Sequence, residues 1–175
     1  DPLVMYWNRD MFASAGLSRP PVSWDVVVTQ VVPALVLRDQ SRSIVRAAVA
    51  FGEYRNVEFA KELLMSLTMQ AGSQMIIENN QAYEVALDQP IVEGARKPME
   101  AATQFFTDFS NANSQLYSWN RGFSSDRGAF LSEDLALYFG LGSEAAGIRE
   151  QNPNFNFDVA PIPQGADVSA TRVYG

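Results

Sequence analysis

The 175 residues carry 13 Lys and Arg against 20 Asp and Glu, a formal net charge of −7, with 47% hydrophobic and 19% charged side chains and neither histidine nor cysteine. That length fits one domain with a sizeable core and a radius of gyration of about 16 Å, and the composition is that of an ordinary globular chain. Without histidine or cysteine, Ser-His-Asp and Cys-His catalysis, His- or Cys-ligated zinc and disulfides are all excluded, and an acidic surface with scattered cations repels nucleic acid.

In chain order, Leu3-Val4-Met5-Tyr6-Trp7 reads as a strand. It is followed by Asn8-Arg9-Asp10 and a short helix from Met11 to Ala15 that Gly16 stops. Arg19-Pro20-Pro21 forces an extended link. Ser23 is a good N-cap for a helix starting at Trp24-Asp25, which Pro33 should kink or restart. The apolar stretch from Val26 to Leu37 is interrupted by Thr29, Gln30 and Pro33 and is too short to span a bilayer.

Ile44 to Phe51 reads as a buried strand, left through the loop Gly52-Glu53-Tyr54-Arg55. Asn56 is placed to cap a helix whose apolar residues Ala60, Leu63, Leu64, Leu67 and Ala71 recur at spacings of three and four, with Gly72 beyond its end. Met75-Ile76-Ile77 is a short strand, and Glu78 to Pro90 reads as polar and irregular. A helix starts near Pro98 with Met99, Ala102, Phe105, Phe106 and Phe109 on one face. An Asn- and Ser-rich loop leads to Tyr117-Ser118-Trp119-Asn120. Ser124-Ser125-Asp126 starts a helix, Leu135 to Phe139 is a strand, and Ser143 caps a helix ending near Asn152-Pro153. Phe155 to Ile162 and Thr171 to Tyr174 are the last strands. Alternating helices and strands predict a helix-rich mixed α/β layer domain over 1–175.

Four segments, in this order, resemble the maltose-binding-protein-like cluster of extracellular solute-binding proteins. They are Leu3 to Phe12 with Ala15-Gly16-Leu17, then Pro20-Pro21-Val22-Ser23-Trp24-Asp25, then Phe130 to Gly140, in which Glu133-Asp134 replaces the usual Gly-Lys pair, and Asn152 to Gln164. The resemblance implies one lobe of a two-lobed receptor, the C-terminal one, trimmed at both hinge crossings. It also implies a small polar ligand such as a sugar or oligosaccharide, delivered to the permease subunits of an ABC importer. Such a receptor works outside the cytoplasmic membrane, extracellular or periplasmic and in some cases lipid-anchored, with no cofactor, no catalysis and no membrane insertion of its own. The chain opens on Asp1-Pro2 with no leader, as it would after a leader is removed.

Ligands of open α/β sheets bind at strand ends, and the resemblance puts the ligand in the cleft between lobes. Tyr54 and Arg55 offer an aromatic face and a guanidinium in a loop that leaves a strand; the plainer reading is a surface loop. Gly142, Ser143 and Glu144 follow a strand and open a helix, so the backbone can approach a ligand while Ser143 and Glu144 bond its hydroxyls; the plainer reading is a tight turn. Family members often carry an aromatic platform in that region. Here the platform must come from elsewhere, and Trp119 is the candidate, weighed against a core role under a long loop.

Two rival readings belong to other classes. Gly140-x-Gly142-x-x-Ala145 matches a Rossmann nucleotide-binding fingerprint with Asp158 as the ribose acid, although Asp158 sits inside a strand rather than at its end and little chain follows. The other is a protein-interaction module docking through an apolar face.

Overall fold

A computed structural model of the chain describes residues 1–90, 94 and 96–165. The first strand, β1 (Leu3–Asn8), ends at Asn8, whose side chain accepts from the Met11 amide at 2.9 Å and so caps helix α1 (Arg9–Ser14). Ser23 caps α2 (Trp24–Val26) by accepting from the Val26 amide. Pro33 has no N–H to donate. Ahead of it the helix widens into a π-helical turn, Val27–Val31, and resumes as α3 (Val32–Leu35) with the proline in its first turn.

Strands β2 (Leu37–Arg38) and β3 (Ile44–Val49) follow, then α4 (Ala60–Gln70), which buries Ala60, Leu63 and Leu67 and ends two residues before Gly72. The strand expected at Met75-Ile76-Ile77 lies within β4 (Ser73–Asn79), whereas Glu78 to Pro90, expected to be irregular, is ordered: β5 (Ala82–Pro90) forms a hairpin with β4, with Asn79 opposite Ala82. Both connecting residues, Asn80 and Gln81, have positive φ, as a two-residue hairpin turn requires. Its sequence reads as polar because much of the hairpin faces water, with Ile76, Tyr83 and Val85 exposed. Helix α5 (Pro98–Asp108), helix α6 (Asp126–Leu131), strand β6 (Leu135–Leu141), helix α7 (Glu144–Gln151) and strand β7 (Phe157–Ala160) complete the described chain. The strand expected at Thr171 to Tyr174 lies outside the described residues.

The main sheet has five strands in the order β2-β3-β6-β1-β7. β6 is parallel to β3, and β1 runs antiparallel to both β6 and β7. The C-terminal ends of β3, β6 and β7 therefore share one end of the sheet with the start of β1. Successive side chains of a strand point to opposite faces, so the neighbours Tyr138 and Phe139 seed two aromatic cores. On one face Tyr6 lies opposite Tyr138 with ring centroids 5.6 Å apart, joined by Phe130, Phe155 and Phe157. On the other, Phe139 meets Phe51 and Trp24, which pack against Phe105 and Phe106 of α5. With both faces covered, Leu135 to Phe139 is buried throughout. Among the described residues no helix is long and apolar enough to cross a membrane.

Strand β2 is too short to pair along all of β3. The buried hydroxyl of Ser118 accepts from the Ala48 and Val49 amides at 2.9 and 2.8 Å, and an unsatisfied buried N–H costs about 1–3 kcal/mol. Ser118→Ala should therefore lower the unfolding free energy by about 2–4 kcal/mol, measured by urea denaturation. A loss no larger than that of an exposed Ser→Ala change would refute this role.

Candidate functional site

The loop that leaves β3 begins at Gly52, at φ +90°, where the Ser110 hydroxyl donates to its carbonyl at 3.1 Å and an added Cβ would overlap Ser110. Glu53 is turned inward and accepts from Arg121 at 2.8 Å. Tyr54 is 80% exposed, and Arg55 beside it is exposed. Among the described residues the Arg55 guanidinium has no hydrogen bond or ion pair, so both groups stand free.

Asn56 does not cap α4, whose N-cap position is Phe59 with no side-chain bond. Instead its buried amide is a tie. Oδ1 accepts from the Trp119 indole N–H at 3.0 Å, and Nδ2 donates to the carbonyls of Asn120 and Phe123 at 3.0 and 2.9 Å. Two residues on, the Glu58 amide donates to the buried carboxylate of Asp126 at 3.1 Å. The loop carrying Tyr54 and Arg55 is thus held between a β-strand and the start of α6.

The same network corrects the expectation for Trp119. Its ring is fully buried, stacked on Phe123 with centroids 4.2 Å apart, and its N–H is spent on Asn56. No ligand can stack on it, and the core reading is the one the structure supports. Trp7 and Trp24 are each only 8% exposed, so no tryptophan among the described residues offers an open ring, and Tyr54 is the exposed aromatic at this end of the sheet.

The β6–α7 turn is built around Glu144, which is also corrected: its carboxylate points back into the protein. Oε2 accepts from the Leu141 amide at 2.9 Å, both oxygens accept from the Tyr138 hydroxyl at 3.1 and 3.0 Å, and Arg127 lies 3.2 Å from Oε1. Gly140 makes this possible, since a Cβ there would overlap the Glu144 carboxylate and come within 2.7 Å of the Tyr138 ring. Ser143 occupies the N-cap position of α7 without a side-chain bond to the helix; its hydroxyl and its amide go to Asp1. Gly142 donates its amide to the Pro2 carbonyl at 3.0 Å. Gly142 and Ser143 therefore remain at the rim of the sheet end, while Glu144 is the prop beneath them.

That arrangement also removes the nucleotide reading. A dinucleotide fold needs bare amides at the helix start to receive a pyrophosphate, and here the carboxylates of Glu144 and Asp1 already take the Leu141 and Ser143 amides. In the sheet the neighbour of β6 on this side is the antiparallel β1, which separates it from β7.

Burial and the Glu144 charge raise the Tyr138 hydroxyl far above its usual range, and the same causes push Tyr6 up to about 12. Both phenols stay neutral donors; Tyr6 donates to the Leu141 carbonyl at 2.6 Å. Asp126 is pushed up to about 6, chiefly by burial and further by Glu58, against the lowering effect of the Arg127 and Glu58 amides. Among the described residues no group of three or more Asp or Glu side chains is placed to hold a metal ion.

Tyr54 and Arg55 stand at the end of β3, and Gly142 and Ser143 at the end of β6, the adjacent parallel strand. Four of the six sequence-selected residues thus share one rim of the sheet, and Trp119 and Glu144 lie beneath it. Sequence reasoning missed Asn56 and Asp126 as the ties of this rim, because a buried amide and a buried acid look like ordinary cap residues until their distant partners are in place.

For Asp126 the linkage sign follows from a folded value of about 6 against the usual 3.8. Between these values the unfolded chain has lost the proton and the folded chain retains it, so this group's contribution to stability falls as pH rises from about 4 to about 6 and is flat above. The full window amounts to about 3 kcal/mol. Asp126→Asn should remove that component, read as a smaller difference between unfolding free energies at pH 4 and pH 7 than the parent shows; an unchanged difference would contradict the assignment.

No protein-family model matches the sequence, and no curated protein matches it. Solved structures do. An ABC transporter solute-binding protein from Thermotoga lettingae, bound with α-D-tagatose, is 20% identical with a TM-score of 0.68, and the likeness covers 94% of this chain and 40% of that one. UgpB from Mycobacterium tuberculosis, in complex with glycerophosphocholine, is 20% identical with a TM-score of 0.67 over 97% of this chain and 38% of that one. The maltose/maltodextrin-binding domain MalE from Bdellovibrio bacteriovorus, bound to maltotriose, is 10% identical with a TM-score of 0.70 over 98% and 39%. The chain spans about 40% of the length of the first of these proteins. At such identities the likeness is one of architecture, and the architecture of this chain is that of one lobe of a periplasmic-binding-protein-like fold.

Proposed function

We propose that this chain forms one wall of a solute-binding cleft for a sugar or similar polar ligand, in a receptor that serves an ABC importer outside the cytoplasmic membrane. The observation that supports the reading is that Tyr54 and Arg55 project, unpartnered, from the loop after β3, and the turn Gly142-Ser143 follows β6, the parallel strand adjacent to it. An exposed phenol ring supplies an apolar face for a sugar ring, and a free guanidinium supplies donors to hydroxyl oxygens.

The role is binding rather than catalysis. Glu53, Asp126 and Glu144, the acids turned inward at this end, are each engaged by Arg121, by backbone amides, or by Tyr138 and Arg127. A carboxylate in such a network is a structural acceptor and is poorly placed to shuttle protons.

A second lobe of the same protein would supply the opposite wall, in keeping with solute-binding proteins more than twice as long, and hinge closure would complete the hydrogen bonds and exclude water. One wall alone binds weakly. The permease subunits would then recognise the closed receptor.

Because the three tryptophans are buried, ligand binding is better followed by amide NMR than by indole fluorescence. Titration of the chain with glucose, maltose and maltotriose should give saturable shifts at Tyr54, Arg55, Gly142 and Ser143 in the millimolar range, and Tyr54→Ala should weaken them several-fold without lowering the melting temperature. Shifts confined to another surface, or appearance of cleaved sugar, would defeat the proposal.

A further inference from the structure

A cavity of about 610 Å³ opens beside the edge strand β2, lined by Arg38, Ser41, Arg42, Ser43, Tyr117 and Asn120 among others. It lies at the start of β3 and reaches Asn120, whose carbonyl accepts from Asn56 in the loop that carries Tyr54. Two guanidiniums with no acidic side chain in the lining stand out in a chain with a net charge of −7.

Both arginines are set in place by their surroundings. Arg38 donates to the Tyr117 carbonyl and lies over the Tyr117 ring at 5.8 Å, while the Tyr117 hydroxyl is fixed by the Asn120 amide at 2.9 Å. A guanidinium has five N–H donors, and this contact uses one. Arg42 sits at φ +67°, an uncommon conformation for a long side chain. The turn around it is held by Asp39, whose Oδ1 accepts from the Ser41 amide, the Ser41 hydroxyl and the Ser43 amide at 2.8, 2.6 and 2.9 Å. These donors hold the Asp39 carboxylate as the brace of the turn. Among the described residues the Arg42 side chain has no hydrogen bond or ion pair, so its fork remains free.

We infer that this cavity is a second binding site, for a phosphate-bearing solute whose phosphoryl oxygens bridge Arg38 and Arg42. Two planar forks match the several oxygens of a phosphate better than the two of a carboxylate, and the volume leaves room for an organic body. The site borders the segment around Asn120 that also ties down the Tyr54 loop, but its arginines are distinct from that loop's residues.

The test is a titration of the chain with inorganic phosphate and with glucose 6-phosphate at low ionic strength, followed by amide NMR, with glucose and acetate as controls. Saturable shifts at Ser41, Arg42, Ser43 and Tyr117 are expected with both phosphates, weakened about tenfold or more in Arg42→Gln at an unchanged melting temperature. No saturable shift at these amides, equal affinity in Arg42→Gln, or a response to acetate as strong as to phosphate would each overturn the site. Shifts at Tyr54 with glucose alone would leave this result unaffected, since glucose carries no phosphate and the site is read at Ser41, Arg42 and Ser43.

Discussion

The buried side chain of Asn56 is the constraint on which the loop after β3 depends. Its three hydrogen bonds, to the Trp119 indole and to the carbonyls of Asn120 and Phe123, fasten the loop after β3 to a segment more than sixty residues away. Asp126 repeats the tie from the other side by accepting the Glu58 amide. A loop with two exposed large side chains has little hydrophobic burial to hold it. Here the ordering comes from polar groups whose partners are all inside the protein, where leaving any one unpaired is costly.

The neighbouring turn uses the same device with a charge. Glu144 folds back over Gly140 to accept from Leu141 and Tyr138, with Arg127 alongside. Tyr138 in turn lies opposite Tyr6 within the aromatic core. Core packing, turn geometry and the position of Ser143 are therefore one connected arrangement. A rim built this way is preorganised, and preorganisation lowers the ordering cost that a weak polar ligand must overcome.

The two faces of the sheet differ in purpose. Tyr6, Phe130, Tyr138, Phe155 and Phe157 form a core that terminates in hydroxyls near the β6–α7 turn, whereas Trp24, Phe51, Phe105 and Phe139 fill the opposite face with rings. The Trp24 N–H is satisfied laterally by Gln70 at 2.7 Å, and Gln70 also donates to the Pro163 carbonyl. This ties α4 to the chain beyond β7 at the same end of the sheet.

Local and periodic features were legible in the amino-acid order alone. The cap at Ser23, the restart at Pro33, the start of α5 at Pro98 and the strand Leu135 to Phe139, which the structure extends to Leu141, all follow from short-range chemistry or from apolar spacing. Of the hairpin Ser73 to Pro90 only Met75 to Ile77 reads as strand from the order alone, because in β5 the large apolar residues Tyr83 and Val85 face water, the reverse of the pattern of a half-buried strand. Nor could the order reveal that Trp119 is buried, that Glu144 turns inward, or that Asn56 spans two loops instead of capping a helix. Those outcomes depend on partners brought together only by sheet pairing, since a polar side chain near a strand end has several possible acceptors until the tertiary fold supplies one and removes water from the others.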